Sequence, residues 1–137
     1  MRWMSPELVD PDYFGLEGRQ PTEESDCYAL GMVIYEVLSG QAPFALFTDF
    51  TVMRKVIEGE CPARPEGAEG VWFTDDLWET LNLCWATQPE NRPRIETVLE
   101  FLEKVSGVCE PPSPEVDEGV ETDEEDDWES TILREED

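Results

Sequence analysis

Apolar residues recur along most of this chain at steps of three and four, the period of a helix with one buried face. Ile95, Val98, Leu99, Leu102 and Val105 form such a stripe, with Gly107 following as a stop. Leu77, Leu81, Cys84 and Trp85 repeat it, and Thr74 or Asp75 stands where an N-terminal cap belongs. Phe50, Met53, Val56 and Ile57 predict a shorter helix ending at Gly59. The segment from Tyr28 to Leu38 behaves differently. It is apolar almost all the way round, with Glu36 its single charge, opened by Ser25 or Asp26 and closed by Gly40. A helix without a polar face belongs at the centre, wrapped by the others. The intervening stretches are rich in Pro and Gly, and Gly59 to Gly70 reads as a surface loop. No period-two strand and no internal repeat is present. The expected fold is all-α, a central buried helix surrounded by at least three more.

Charge divides the chain in two. Residues 1–107 carry 20 acids and 8 bases, a net of −12, whereas residues 108–137 carry 14 acids and one base, a net of −13. The second stretch opens with Glu110-Pro-Pro-Ser-Pro114 and runs through Asp123-Glu-Glu-Asp-Asp127. It holds too few apolar residues to offset its conformational entropy, so 108–137 is expected to be a disordered acidic tail behind a folded unit at 1–107. Trp128, Ile132 and Leu133 make one acidic-hydrophobic patch that either docks on a partner or is simply solvated. Thr122 and Ser130 lie beside acids and suit acid-directed kinases.

The overall charge of −25 narrows the function. Nucleic-acid binding needs a basic face, and adhesion to anionic lipid needs basic clusters, so neither is expected. No apolar run approaches the roughly twenty residues of a membrane span. The chain has no histidine, which removes Ser-His-Asp and Cys-His nucleophiles and His-containing zinc sites. Cys27, Cys61, Cys84 and Cys109 include no Cys-x-x-Cys pair and read as reduced thiols of a soluble, cytoplasmic protein.

Four motifs then fall in order along the helices. Arg2-Trp3-Met4-Ser5-Pro6-Glu7 resembles the end of a protein-kinase activation segment, with Ser5 in the place of the family's alanine. Ser25-Asp26-Cys27-Tyr28-Ala29-Leu30-Gly31 resembles the start of the family's central helix, and Ser39-Gly40-Gln41-Ala42-Pro43-Phe44 the turn that ends it. Cys84-Trp85-Ala86-Thr87-Gln88-Pro89-Glu90-Asn91-Arg92-Pro93 is similar to the Cys-Trp-x3-Pro-x2-Arg-Pro run of tyrosine and tyrosine-like kinases. The resemblance spans residues 2 to about 105, the C-terminal part of the kinase large lobe.

That resemblance implies specific roles. Glu7 would pair with Arg92, tying the substrate-side loop of Trp3, Met4 and Ser5 to the last helices. Asp26 would accept hydrogen bonds from a catalytic loop, or, with no such loop in this chain, cap the central helix. Trp85 would fill the space between the late helices. Phosphoryl transfer in the family also needs a Gly-rich loop, a strand lysine with its glutamate, His-Arg-Asp with an asparagine, and Asp-Phe-Gly. None is present: the only Asp-Phe, Asp49-Phe50, continues into Thr51. ATP and magnesium are therefore expected only for a full-length parent, and these residues alone are expected to be inactive. The surface of the central helix that an upstream half would cover should stay open to that half or to a protein partner. Two readings follow: the lower half of a protein kinase, or a non-catalytic interaction module built on a kinase lobe with an acidic tail.

Overall fold

The computed structural model describes residues 1–108, so the acidic patch at Trp128, Ile132 and Leu133 and the hydroxyls of Thr122 and Ser130 lie outside the described residues. Among the described residues five α-helices follow one another: α1 (Pro6–Val9), α2 (Glu23–Ser39), α3 (Asp49–Ile57), α4 (Asp75–Cys84) and α5 (Ile95–Val108). Two 3-10 turns, Gly67–Gly70 and Pro89–Asn91, interrupt the connections, and no strand occurs among the described residues. None of these helices is long and apolar enough to cross a membrane.

α2 begins earlier than Ser25 or Asp26. Thr22 is its N-cap: the Ser25 N–H donates to Thr22 Oγ1 at 3.2 Å, and the Thr22 N–H donates back to Ser25 Oγ at 2.8 Å. This reciprocal box satisfies two backbone donors that the first turn would leave orphaned. Asp26 is thereby displaced from the capping position into the first turn, where Glu23, Glu24 and Asp26 together complement the positive end of the helix dipole. At the other end Gly40, with φ of 72°, takes the left-handed conformation that stops the helix.

α2 is the axis of the packing. Cys27, Tyr28 and Met32 are buried on the face it turns to the core, where it packs on α4. The two helices meet so closely at Gly31 that an added Cβ would lie 2.7 Å from Trp85 Nε1 and 3.0 Å from the Cys84 Cβ. Trp85 touches Tyr35 of α2 and Trp78 of α4 at ring separations of 6.0 and 5.7 Å, both edge-on, and so seals the seam between α4 and the central helix. Phe73 closes the aromatic cluster against Tyr35 and Trp78. Such contacts add to the stabilisation from area burial alone.

α1 packs on α3, whose inward residues are Val52 and Val56. Phe50, expected on that inner stripe, instead faces solvent, 73% exposed. Thr48 caps α3 and sets a rotation that sends Val52, one position outside the expected set, into the core. α4 is capped by Thr74, whose hydroxyl accepts the Leu77 N–H. In α5, Val98 is buried and Ile95, Phe101 and Leu102 pack beside it, whereas Leu99 and Val105 are nearly half exposed. Gly107 does not stop that helix: it lacks the left-handed φ of a terminating glycine, and α5 runs through it to Val108.

Candidate functional site

The structure brings Glu7 and Arg92 together in the interior. Arg92 Nη1 donates to Glu7 Oε1 at 2.7 Å and Nη2 to Oε2 at 2.8 Å, a fork-on-fork pair. The remaining donors of the guanidinium are also used. Nη1 reaches the Glu24 carbonyl at 2.9 Å, Nε the Ala86 carbonyl at 2.9 Å, and Nη2 the Thr87 carbonyl at 3.4 Å. Its Cζ lies 5.1 Å from the Tyr28 ring centroid, in cation–π range. One side chain thus joins α1, the first turn of α2 and the segment after α4. Lysine has no planar fork and could not serve these five acceptors.

Electrostatics follow from this geometry. Burial pushes the Glu7 carboxyl up, but the hydrogen bonds and charge of Arg92 and the Glu7 backbone amide outweigh it, holding the group below its ordinary value of 4.5. The Ser5 hydroxyl, fully buried, lies near the same carboxylate and favours its charged form, though without a well-formed hydrogen bond. Burial raises the Tyr28 phenol above its ordinary value of 10.

The residues before Glu7 are fixed as firmly. Trp3 Nε1 donates to Glu36 Oε2 at 2.8 Å, which explains the one charge in the apolar stretch of α2. Arg2 donates to the carbonyls of Pro43, Phe44 and Phe47 and pairs with Asp49 at 3.0 Å. It holds the α2–α3 connection in place at Phe44, whose φ of 55° is costly for a residue with a Cβ. Trp3, Met4 and Ser5 therefore sit between two anchors, Arg2 on one side and Glu7 on the other.

α2 carries an open face as well as a buried one. Asp26, Leu30, Val33 and Val37 recur at steps of four, three and four, placing them on one side of the helix. Asp26 is exposed, Val33 is 45% exposed and Val37 73% exposed, with Leu30 half-buried between them. A row of β-branched side chains in water next to an unused carboxylate marks a surface suited to association.

With this geometry in view, comparison with known proteins decides the family. The profile of the protein tyrosine and serine/threonine kinases matches residues 1–102. The chain belongs to this kinase family. Among its kinase relatives, the probable serine/threonine-protein kinase gdt4 of Dictyostelium discoideum is 33% identical over 104 residues, 76% of this chain and 6% of the relative. Protein sevenless of Drosophila melanogaster is 34% identical over 107 residues, 77% of this chain and 4% of the relative. The proto-oncogene tyrosine-protein kinase ROS of Homo sapiens is 29% identical over 104 residues, 75% of this chain and 4% of the relative. The chain thus spans only a small part of the length of these relatives.

No three carboxylates or thiols gather to hold a metal ion among the described residues, and the glycines never form a phosphate-cradling Gly-x-Gly-x-x-Gly. What this kinase lobe does contain is a rigid platform: the Arg92 node, the segment held by Arg2 and Glu7, and the open face of α2. Sequence reasoning missed Arg2, Glu36 and Tyr28 as members of that platform. A signal existed for Arg2, the only base before Arg19 and one directly beside the Trp3-Met4 motif. No local pattern announces the Glu24 carbonyl or the Tyr28 ring as partners of Arg92.

Proposed function

We infer that these residues form the lower half of a phosphotransferase whose complete protein moves the γ-phosphate of ATP to protein hydroxyls. The observation that carries this is the Glu7–Arg92 node, which fixes the Trp3–Ser5 segment beside α2 as the kinase resemblance requires. In that reading the Trp3–Ser5 segment lies on the substrate side, with the half-buried Trp3 and Met4 towards the polypeptide and Ser5 itself buried. Asp26, exposed at the first turn of α2, receives backbone N–H groups from a catalytic loop supplied from upstream. Leu30, Val33 and Val37 form the surface on which the upstream half packs. The 137-residue chain by itself transfers no phosphate, because positioning and charge stabilisation of the phosphoryl group need loops and ligands that its sequence lacks.

The second reading is an interaction module, in which another protein covers the same α2 face and the acidic tail engages partners. The open row at Val33 and Val37 serves it equally well. The intact mass of the endogenous polypeptide, captured through its acidic tail, separates the two. A mass about twice 15.7 kDa or more supports the phosphotransferase, and a mass near 15.7 kDa supports the module.

A further inference from the structure

We propose that the groove between the α2–α3 connection and the segment at Pro62 and Ala63 docks a partner protein through a short basic segment carrying one apolar side chain. The cavity measures about 130 Å³ and is walled by Tyr35, Ala42, Phe44, Leu46, Phe47 and Pro62. That is well below the roughly 300–1,000 Å³ of a small-molecule site, so it fits a side chain rather than a cofactor. Leu46 is 93% exposed and Phe47 42%, and Phe50, three positions on, is exposed as well. Large apolar side chains clustered in water in this way mark a contact surface.

The groove is shaped before anything enters it. Arg2 donates to the Pro43, Phe44 and Phe47 carbonyls and fixes one wall. Phe44, the buried aromatic of the lining, is held there at its φ of 55°. On the other side the Tyr35 hydroxyl donates to the Ala63 carbonyl at 2.9 Å, tying α2 to the segment after α3. A pre-set site spares its ligand the entropy of ordering it.

Charge selects the occupant. Gln41 lines one end of the groove, and its Nε2 lies 3.5 Å from Glu69 Oε1, which brings that exposed carboxylate to the rim. Burial, and then the charge of Glu69, hold the Tyr35 phenol above its ordinary value of 10. The bases nearby are already matched: Arg2 with Asp49, Arg54 with Glu58, Lys55 with Glu60 and Arg64 with Asp75. Among the described residues Glu69 meets no base, so a Lys or Arg brought by a partner completes it. The same charge disfavours the occupants that the chain itself could supply. Residues 108–137 carry a net of −13, and a second copy brings −25; either sets like charge against Glu69. A basic segment gains from that field during encounter and once bound. This inference does not depend on the phosphotransferase reading, since Asp26, Val33 and Val37 are not among the lining residues.

The test titrates the 137-residue chain, in about 0.15 M salt, with labelled peptides Lys-Arg-X-Arg-Lys in which X is Leu, Ile, Phe, Trp or Gly. Anisotropy and amide chemical shifts are read. At least one apolar peptide should bind about tenfold tighter than the Gly peptide, with shifts centred on Gln41–Phe47 and Ala63. Attraction to the acidic tail is common to all the peptides and cancels in that comparison. Leu46→Ser should remove the preference, and Glu69→Gln should weaken the best peptide about threefold and lower its salt dependence. Both side chains are exposed, so the thermal melt should not move. No preference over the Gly peptide, shifts confined to the Val33–Val37 face, a preference surviving Leu46→Ser, or full affinity in Glu69→Gln overturns the proposal. A dimer that Leu46→Ser dissolves overturns it in favour of a second copy. Overhauser contacts between Leu46 and Trp128 or Ile132 in the unliganded chain overturn it in favour of the chain's own tail.

Discussion

Arg92 and Glu7 stand 85 positions apart in sequence and are joined by two parallel hydrogen bonds of 2.7 and 2.8 Å in the interior. Desolvating two charges is costly, and the cost is recovered here because every N–H of the guanidinium finds an acceptor. Removing either partner strands the other. Glu7→Ala and Arg92→Ala should each lower stability by about 3–5 kcal/mol, read from the urea midpoint. Arg92→Lys should recover only a minor part of this. A loss under about 1 kcal/mol for either alanine variant would place the pair among surface-like ion pairs and contradict its role.

The same pair sets an acid limb. Glu7 is held below its ordinary 4.5 in the folded state, so the unfolded chain binds its proton first as the pH falls. Its contribution is complete above about pH 4.5 and is lost as the pH drops through the lower folded value. Stability measured between pH 7 and pH 2 should therefore fall less steeply in Glu7→Gln than in the wild type. An identical acid limb in both proteins would assign the loss to other carboxylates.

Gly31→Ala tests the seam between α2 and α4. Its Cβ would meet Trp85 Nε1 at 2.7 Å and the Cys84 Cβ at 3.0 Å, and the aromatic cluster leaves the indole little room to retreat. Overpacking of this kind costs about 1–3 kcal/mol. A thermal melt at or above the wild-type temperature, as expected for a glycine replaced inside a helix without a clash, would show that the helices are further apart.

Much of this architecture was legible because apolar spacing reports buried faces directly. Leu77, Leu81 and Cys84 are buried on one side of α4, and Gly40 ends α2. The start of α2 was misplaced because Ser25 reads as a cap in isolation, whereas its hydroxyl works in tandem with Thr22, three residues upstream. Phe50 fits the apolar spacing of Met53, Val56 and Ile57, yet on α3 as capped by Thr48 it faces solvent. A single helical turn such as α1 has no periodicity to detect, and Pro6 and Glu7 entered only through the motif around them. Arg2 was invisible for a different reason. Its acceptors are main-chain carbonyls over forty positions away, which leave no trace in side-chain patterns.

Arg2→Ala should loosen the α2–α3 connection more than it harms the core. It removes three charged hydrogen bonds that hold the chain around Phe44, and a cost of about 1–3 kcal/mol is expected. Limited proteolysis should then cut first between Gln41 and Thr48. Unchanged cleavage there would mean that Pro43 and the Phe44 ring hold the turn unaided.

The open face of α2 predicts a contrast between contexts. Val33→Ser with Val37→Ser should change the stability of the 137-residue chain by less than about 0.5 kcal/mol per site, because both side chains already meet water. The double variant should also bind less of an apolar fluorescent dye than the wild type. Placed in a longer parent, the same pair should destabilise the kinase domain. Equal dye binding by both chains would show that this face is not the exposed patch.

Phosphate transfer by the 137-residue chain itself tests the account most directly. Incubated with radiolabelled ATP, magnesium and a mixed Tyr/Ser/Thr acceptor protein, the purified chain should label neither itself nor the acceptor above a protein-free control. Magnesium-dependent labelling that scales with chain concentration and survives repurification would contradict the account, placing catalytic groups within residues that here form only the lower platform.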